Sequence, residues 1–343
     1  MADTAVAAPG LLGGLRTAEQ KAALVLAAVT VAYGFKSAEA VRVNREREIV
    51  EHPKTQRTPS AEKVQDHPVA AWVLTNASVW TTVLLKFKLG FGLENGDTFW
   101  KAFFKQWAGN VVTVDGSMAI NWFLINKVYA HVPFFTHKRL KQTYTEILMD
   151  YIKCNTVVNV IGATVQSLIF LYIKNGKVTG QGEPWRPLRF LMRLIYMRVI
   201  VDAGFWIGHR WLHRKDVYAW AHRTHHEHSA TQLTTNYHFE WHDLLIEAFI
   251  PFIVGVAVHD TFFTPLDGFD MSLLGTYIFW HEIESHAGKP MPTMPLVAPL
   301  STWTQRFDDW NSWFHEVHHR TLKFNLSISP WFDCLMKTHR WDL

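Results

Sequence analysis

Ten of the nineteen histidines fall into short clusters whose spacings are those of metal ligands. The segment HRWLHRKDVYAWAHRTHH packs His209, His213, His222, His225 and His226 into eighteen residues; HEIESH adds His281 and His286, and HEVHH adds His315, His318 and His319. At 3.6 residues per helical turn, side chains three or four apart project from one face, so each HxxxH and HxxHH group forms a comb of imidazoles. With this histidine content an HxxHH pattern arises by accident roughly 0.06 times per chain, and two of them roughly once in several hundred chains. Any one of these residues alone is an ordinary hydrogen-bonded histidine; ten together are not. Neutral imidazole suits iron, zinc, copper or nickel. One zinc ion uses three or four protein ligands, so two ions with about five ligands each is the simplest account of ten. Glu and Glu-x-x-His at the spacing of soluble di-iron bundles are not evident. Cys154 and Cys334 lie far apart and form no CxxC, so neither a disulfide framework nor a cysteine zinc site is expected.

The elements that must position these rings read as membrane helices. Hydrophobic residues make up 48% of the 343-residue chain, and the sixteen tryptophans suit the belts where apolar rings meet a headgroup layer. The formal charge of +4, with basic residues interleaved among acidic ones, leaves no nucleic-acid footprint. Residues 22–35 are short of the roughly 20 needed to cross a bilayer and lack the flanks of a cleaved signal, so they read as an amphipathic or anchoring segment followed by a charged linker. Residues 68–85 and 154–173 are uncharged candidate spans; residues 117–135 are a weaker one because of Lys127 and His131. The expected organisation is an N-terminal segment over 1–66, membrane-spanning helices over 67–186 and a catalytic region over 187–343.

Within that last region, a helix from Pro187 carries Arg193, Arg198 and Asp202 and runs into His209. Asp202 sits two turns before His209, where it either accepts a hydrogen bond from a ligand imidazole or pairs with Arg198 one turn back. Residues 244–258 and 271–280, separated by a polar corner, predict a helical hairpin whose return arm delivers His281 to the side of the earlier clusters. His281 and His286 are about 140° apart around a helix, so one of them is expected past its end. The proline-rich stretch over 289–299 predicts a loop, and residues 306–320 resume a helix.

HRWLH, HRTHH, HEIESHAG and HEVHH, in this order, resemble the histidine boxes of the membrane-bound fatty acid hydroxylase and sterol desaturase superfamily. The resemblance covers about residues 190 to 340, including Asp202 before the first box and the Asn325 to Asp333 pattern after the last. It implies an all-α integral membrane protein, with about four transmembrane or re-entrant helices, whose histidine-rich di-metal site faces the cytosol at the endoplasmic reticulum. It further implies two non-haem iron ions held by His209, His213, His222, His225, His226, His281, His286, His315, His318 and His319. The reaction would be hydroxylation or desaturation of a sterol, fatty acyl or sphingoid lipid with O₂ and electrons from cytochrome b5 and its reductase, or a similar donor. His52-Pro53 and His67-Pro68 lack the glycines of a fused cytochrome b5, so the donor is expected to be a separate protein. Where the sterol branch often has His-Pro-x-Glu, this chain has His238, Phe239 and Glu240; His238 and His242, four apart on one helix face, are either extra ligands, groups supporting the ligands, or a hydrogen-bonded surface pair. HAG stands in place of the more usual HSG after the third box, which leaves the substrate branch open.

Two competing readings stand beside this one. His315-Glu316-x-x-His319 is also a literal HExxH, in which Glu316 would be the general base of a membrane zinc protease. A metal transporter or a non-catalytic metal- or lipid-binding membrane protein is the other, although no position in the boxes is missing.

Overall fold

The computed structural model describes residues 68–135, 141–178, 186–291 and 310–340. The expected anchor over 22–35 and most of the proline-rich loop lie outside these residues. The described residues are helical, with no strand among them. In chain order they form α1 (Pro68–Lys88), α2 (residues 99–128), α3 (Tyr144–Ile173), α4 (Pro187–Leu212), α5 (Lys215–Ala221), α6 (Trp241–Phe262), α7 (Gly268–Ser285), α8 (Trp310–Thr321) and α9 (Pro330–Met336).

The helix starts follow local chemistry. Thr98 caps α2, Thr143 and Glu146 close a capping box on α3, and Asp267 accepts from the Asp270 amide at 2.7 Å at the start of α7. Pro187 and Pro330 occupy the first turns of α4 and α9, where no amide hydrogen is needed. Pro251 sits inside α6, and a π-helical turn at Leu245–Phe249 directly precedes it. Widening the helix there relieves the clash between the proline ring and the carbonyl one turn back.

α3 and α6 are long and apolar enough to cross a membrane, and both turn apolar side chains outwards, among them Leu148, Ile152, Val160, Ile250, Val254 and Phe262. The span expected at 154–173 is the last two thirds of α3. That expected at 68–85 falls on α1, and the one at 117–135 is the latter part of α2, which ends at Val128. The hairpin expected between the second and third histidine clusters is α6 and α7.

α4 packs closely against α6, and two small residues make this possible. A Cβ on Gly204 would come within 2.7 Å of Pro251, and one on Gly208 within 2.8 Å of the Ile246 carbonyl oxygen. The pair has the small-xxx-small spacing that lets helix backbones approach in apolar surroundings. Below that crossing, α1, α4 and α7 share a core of Val79, Val83, Leu194, Met197, Leu273, Tyr277 and Trp280. At the end away from the histidines, Arg193 is tied to Asp270 and to the Thr264 carbonyl, and Lys174 to Asp260. These buried ion pairs lock the α6–α7 corner to α3 and α4.

Candidate metal centre

Nine of the ten clustered histidines converge in two adjacent groups. His209 and His213 come from the end of α4, His222 and His226 from the end of α5 and the turn after it, and His318 from α8; together they form the first group. His225, His286, His315 and His319 form the second, with His286 capping α7 as the spacing predicts. Rings of the two groups touch, His226 lying 4.6 Å from His319 between centroids.

The Nε2 atoms within each group lie very close. In the first, His209 is 3.0 Å from His222, His222 2.9 Å from His226, His226 3.2 Å from His318, His318 3.2 Å from His213 and His213 3.1 Å from His209. In the second, His225 is 3.3 Å from His286, His286 2.8 Å from His315 and His315 3.1 Å from His319. Imidazole nitrogens bind transition ions at about 2.0–2.1 Å, which places neighbouring ligands about 2.9 Å apart at right angles and about 3.4 Å apart in a tetrahedron. The observed separations fall across that range.

The ring tautomers decide what these nitrogens can be. Nδ1 of His209 donates to the Leu326 carbonyl at 2.7 Å, that of His318 to Phe324 at 2.7 Å, that of His319 to His228 at 2.9 Å and that of His286 to Glu282 at 2.9 Å. A carbonyl only accepts, so each of these rings carries its proton on Nδ1 and presents a bare lone pair at Nε2. His222 does the same towards the Asp243 carboxylate at 2.8 Å. Burial holds the rings neutral: His213 falls to about 2 and His286 and His318 to about 4, while His222, His225, His226, His315 and His319 lie well below the ordinary value, neighbouring rings adding to the effect. Clustered lone pairs repel one another unless a cation stands between them, so the donor set fits two transition-metal ions.

Two of the four carbonyls that fix these tautomers come from one short segment. Phe324, Leu326 and Ile328 offer their carbonyls to His318, His209 and His281 in turn. Asp333 holds the segment by accepting from the amides of Leu326 at 3.0 Å and Ser327 at 2.6 Å. Asn325, in the left-handed conformation, donates to the carbonyls of Phe314 and Arg340. The Asn325 to Asp333 pattern therefore works as a brace for the histidines. Gly288, with φ of +68°, serves the second group: a Cβ there would lie 2.2 Å from the Thr231 carbonyl oxygen. Only glycine lets the chain turn away directly after His286.

Several expected residues lie elsewhere. His281 is outside both groups: its Nε2 meets the Ile328 carbonyl at 3.3 Å, because from within α7 it points away from His286 at the helix end. The Asp202 carboxylate accepts from the Ser329 amide at 2.9 Å, tying α4 to the bracing segment, and its charge acts on buried Arg198 one turn back without a hydrogen bond between them. Arg198 has no hydrogen-bond partner among the described residues. His238 binds Asp150 and Glu227, Glu240 pairs with Lys153 at 2.8 Å, and His242 meets the Trp220 carbonyl at 2.9 Å. Each of the three is thus held by its own partners outside the two histidine groups. Glu316 points away from the metal groups: the Thr231 amide and hydroxyl donate to it at 2.7 and 2.6 Å, and Arg320 at 2.8 Å.

Three buried residues that sequence reasoning passed over complete the site. Asp243 orients His222, and Glu247, one turn on, brings Oε1 within 3.6 Å of His209 Nε2; both carboxylates group with His222. His228 is fully buried, bonds Thr235 and lends its carbonyl to His319. The i, i+4 spacing of Asp243 and Glu247 in an otherwise apolar helix was the available signal, since buried acids there are costly.

An apolar cavity of about 250 Å³ opens onto this centre. His225, His286, Asp243, Glu247 and Glu282 line one end, and its walls are supplied by α2, α3, α6 and α7, including Val158, Val165, Phe249 and Phe279.

Residues 194–338 match the fatty acid hydroxylase family. The chain is also 24% identical over 263 residues to the C-4 methylsterol oxidase of Schizosaccharomyces pombe, covering 71% of this chain and 82% of that one. No solved structure matches the chain significantly. Both matches bear out the resemblance read from the histidine boxes.

Proposed function

We propose, from the fatty acid hydroxylase domain that residues 194–338 carry and the sterol oxidase relative, that this lipid-modifying oxidoreductase is a membrane-bound di-iron oxygenase. It uses O₂ and external electrons to hydroxylate or desaturate a lipid: a sterol, as its relative's name indicates for that protein, or a fatty acyl or sphingoid chain. The observation that carries this reading is the two abutting sets of five and four imidazole nitrogens at one end of an apolar cavity. The His209, His213, His222, His226 and His318 set would hold one iron, and His225, His286, His315 and His319 the other. Iron bound there would supply the reductive activation of O₂ needed to attack an unactivated C–H bond. Hydroxylation leaves one oxygen atom in the lipid and one in water, with two electrons and two protons drawn from cytochrome b5 or a similar donor and its reductase.

The protein's own share is positioning. The carbonyls of Phe324 and Leu326 keep the proton on Nδ1 of His318 and His209, and Asp243 does so for His222, so that Nε2 stays available. Val158, Phe249 and Phe279 wall the cavity, exclude water and hold a hydrocarbon against the centre, so geometry sets which carbon reacts. With α3 and α6 in the endoplasmic reticulum membrane, the histidine end would face the cytosol, where the donor is found.

Comparing lipids, sterols and sphingolipids included, from cells expressing the wild type and His225→Ala/His226→Ala tests this. A lipid gaining one oxygen or losing two hydrogens only with the wild type is expected; no difference in hosts that supply the reductase refutes catalysis. Two irons per chain are expected by elemental analysis, and a single zinc would favour the protease reading. Glu316 argues against that reading, being bound by Thr231 and Arg320 rather than free to activate water.

A further inference from the structure

At the end of the cavity remote from the histidines, Lys86 lines the wall. Its side chain is buried, 4% exposed, and its ammonium donates to Gln106 at 3.2 Å and to Ser272 at 3.0 Å. Both acceptors are neutral. An ammonium has three donors, and a buried one without a counter-charge is costly. Lys174, which lines the same end, shows the usual solution in its pairing with Asp260, whereas no described carboxylate pairs with Lys86. The fold also makes room for it: a Cβ on Gly109 would lie 2.6 Å from Lys86 Cε, so the slot holding the stem exists because position 109 has no side chain. Lys177, exposed, adds a further positive charge where the cavity meets the surface.

We propose that Lys86, with Gln106 and Ser272, binds the anionic head of a single-chain amphiphile whose tail runs along the cavity to the histidine centre. The missing counter-charge selects an anion over a neutral hydroxyl, and the shared chemistry is that of a carboxylate or a phosphate monoester. The span is set by α7: fourteen residues separate Ser272 from His286, a rise of about 21 Å. The walls between these two ends are apolar, which suits a hydrocarbon tail. With the head at Lys86, the carbon presented to the histidines lies far along the chain. The regiochemical part of this inference rests on the oxygenase reading above; the binding part does not.

The test uses the purified full-length protein in neutral detergent, with the fluorescence of cis-parinaric acid and of its methyl ester as probes. The wild type is expected to bind the acid at least tenfold more tightly than the ester. Lys86→Met, which keeps an unbranched stem in the Gly109 slot, is expected to remove that preference while leaving ester binding and metal content unchanged. Competition by lysophosphatidic acid against oleic acid then distinguishes a phosphate from a carboxylate head. Equal binding of acid and ester by the wild type overturns the proposal without any variant, as does an acid preference that survives Lys86→Met. Turnover of a sterol beside its hydroxyl group overturns the orientation. If acid binding depends on Lys86 but the protein holds no iron, the anchor stands and the oxygenase reading fails.

Discussion

Gly208→Ala tests whether the approach of α4 to α6 sets the geometry of the metal centre. The added Cβ would lie 2.8 Å from the Ile246 carbonyl oxygen and 3.0 Å from Ile246 Cγ2, whereas ordinary contact begins at 3.4 Å. The nearest atom is backbone, so no side chain can swing aside and the helices must part by about 0.6 Å at this level. Overpacking of this kind costs about 1–3 kcal/mol. The displacement falls beside the site, since His209 is the next residue on α4 and Asp243 and Glu247 flank Ile246 on α6. Lengthening the 2.8 Å bond between His222 and Asp243 by a similar amount would take it beyond good hydrogen-bond distance. Loss of such a supporting bond costs roughly 10–100-fold in metal affinity. The assay is thermal unfolding in detergent together with iron retained against a chelator series. Gly275→Ala is the control, because its Cβ would meet nothing closer than Phe252 at 3.9 Å. Unchanged unfolding and unchanged iron retention in Gly208→Ala would mean that the α4–α6 approach does not set the metal geometry.

His286→Ala should lose iron from the second group and all activity, while His281→Ala should keep its iron and lose only stability, checked by elemental analysis; equal iron loss in both would return His281 to the ligands. Asp243→Asn should weaken iron binding roughly 10–100-fold, because the amide can offer His222 Nδ1 a donor where an acceptor is needed; chelator competition reads this directly. The metal-free protein should lose stability as pH falls from about 6.5 towards 4, because His286 and His318 stay neutral to about 4 when folded but take up protons at their ordinary value when unfolded. Unfolding in denaturant across that range checks the sign, and a stability that rises as the pH is lowered would contradict it.

Helical periodicity made the combs of imidazoles and the place of His286 at a helix end legible in the sequence, because each follows from spacing along a single helix, and two apolar stretches about a polar corner made the α6–α7 hairpin legible. Which imidazoles meet across helices does not follow from spacing. His281 and His286 share one cluster, yet the end of α7 falls between them and sends only His286 to His225 and His315. The division of nine rings into five and four, with His225 and His226 on different sides, depends on how the turn after α5 meets α8. Asp202 looked like a partner of His209 or Arg198 because both lie on its own helix. Its hydrogen bond goes to Ser329, more than a hundred residues away. Asp243, Glu247 and the Gly204–Gly208 contact were present as residue types, but their value comes from the α4–α6 crossing. Sequence determined which ligands exist and on which helix faces they stand, since helix geometry is local; tertiary packing decided which lone pairs converge, since convergence depends on distances between helices.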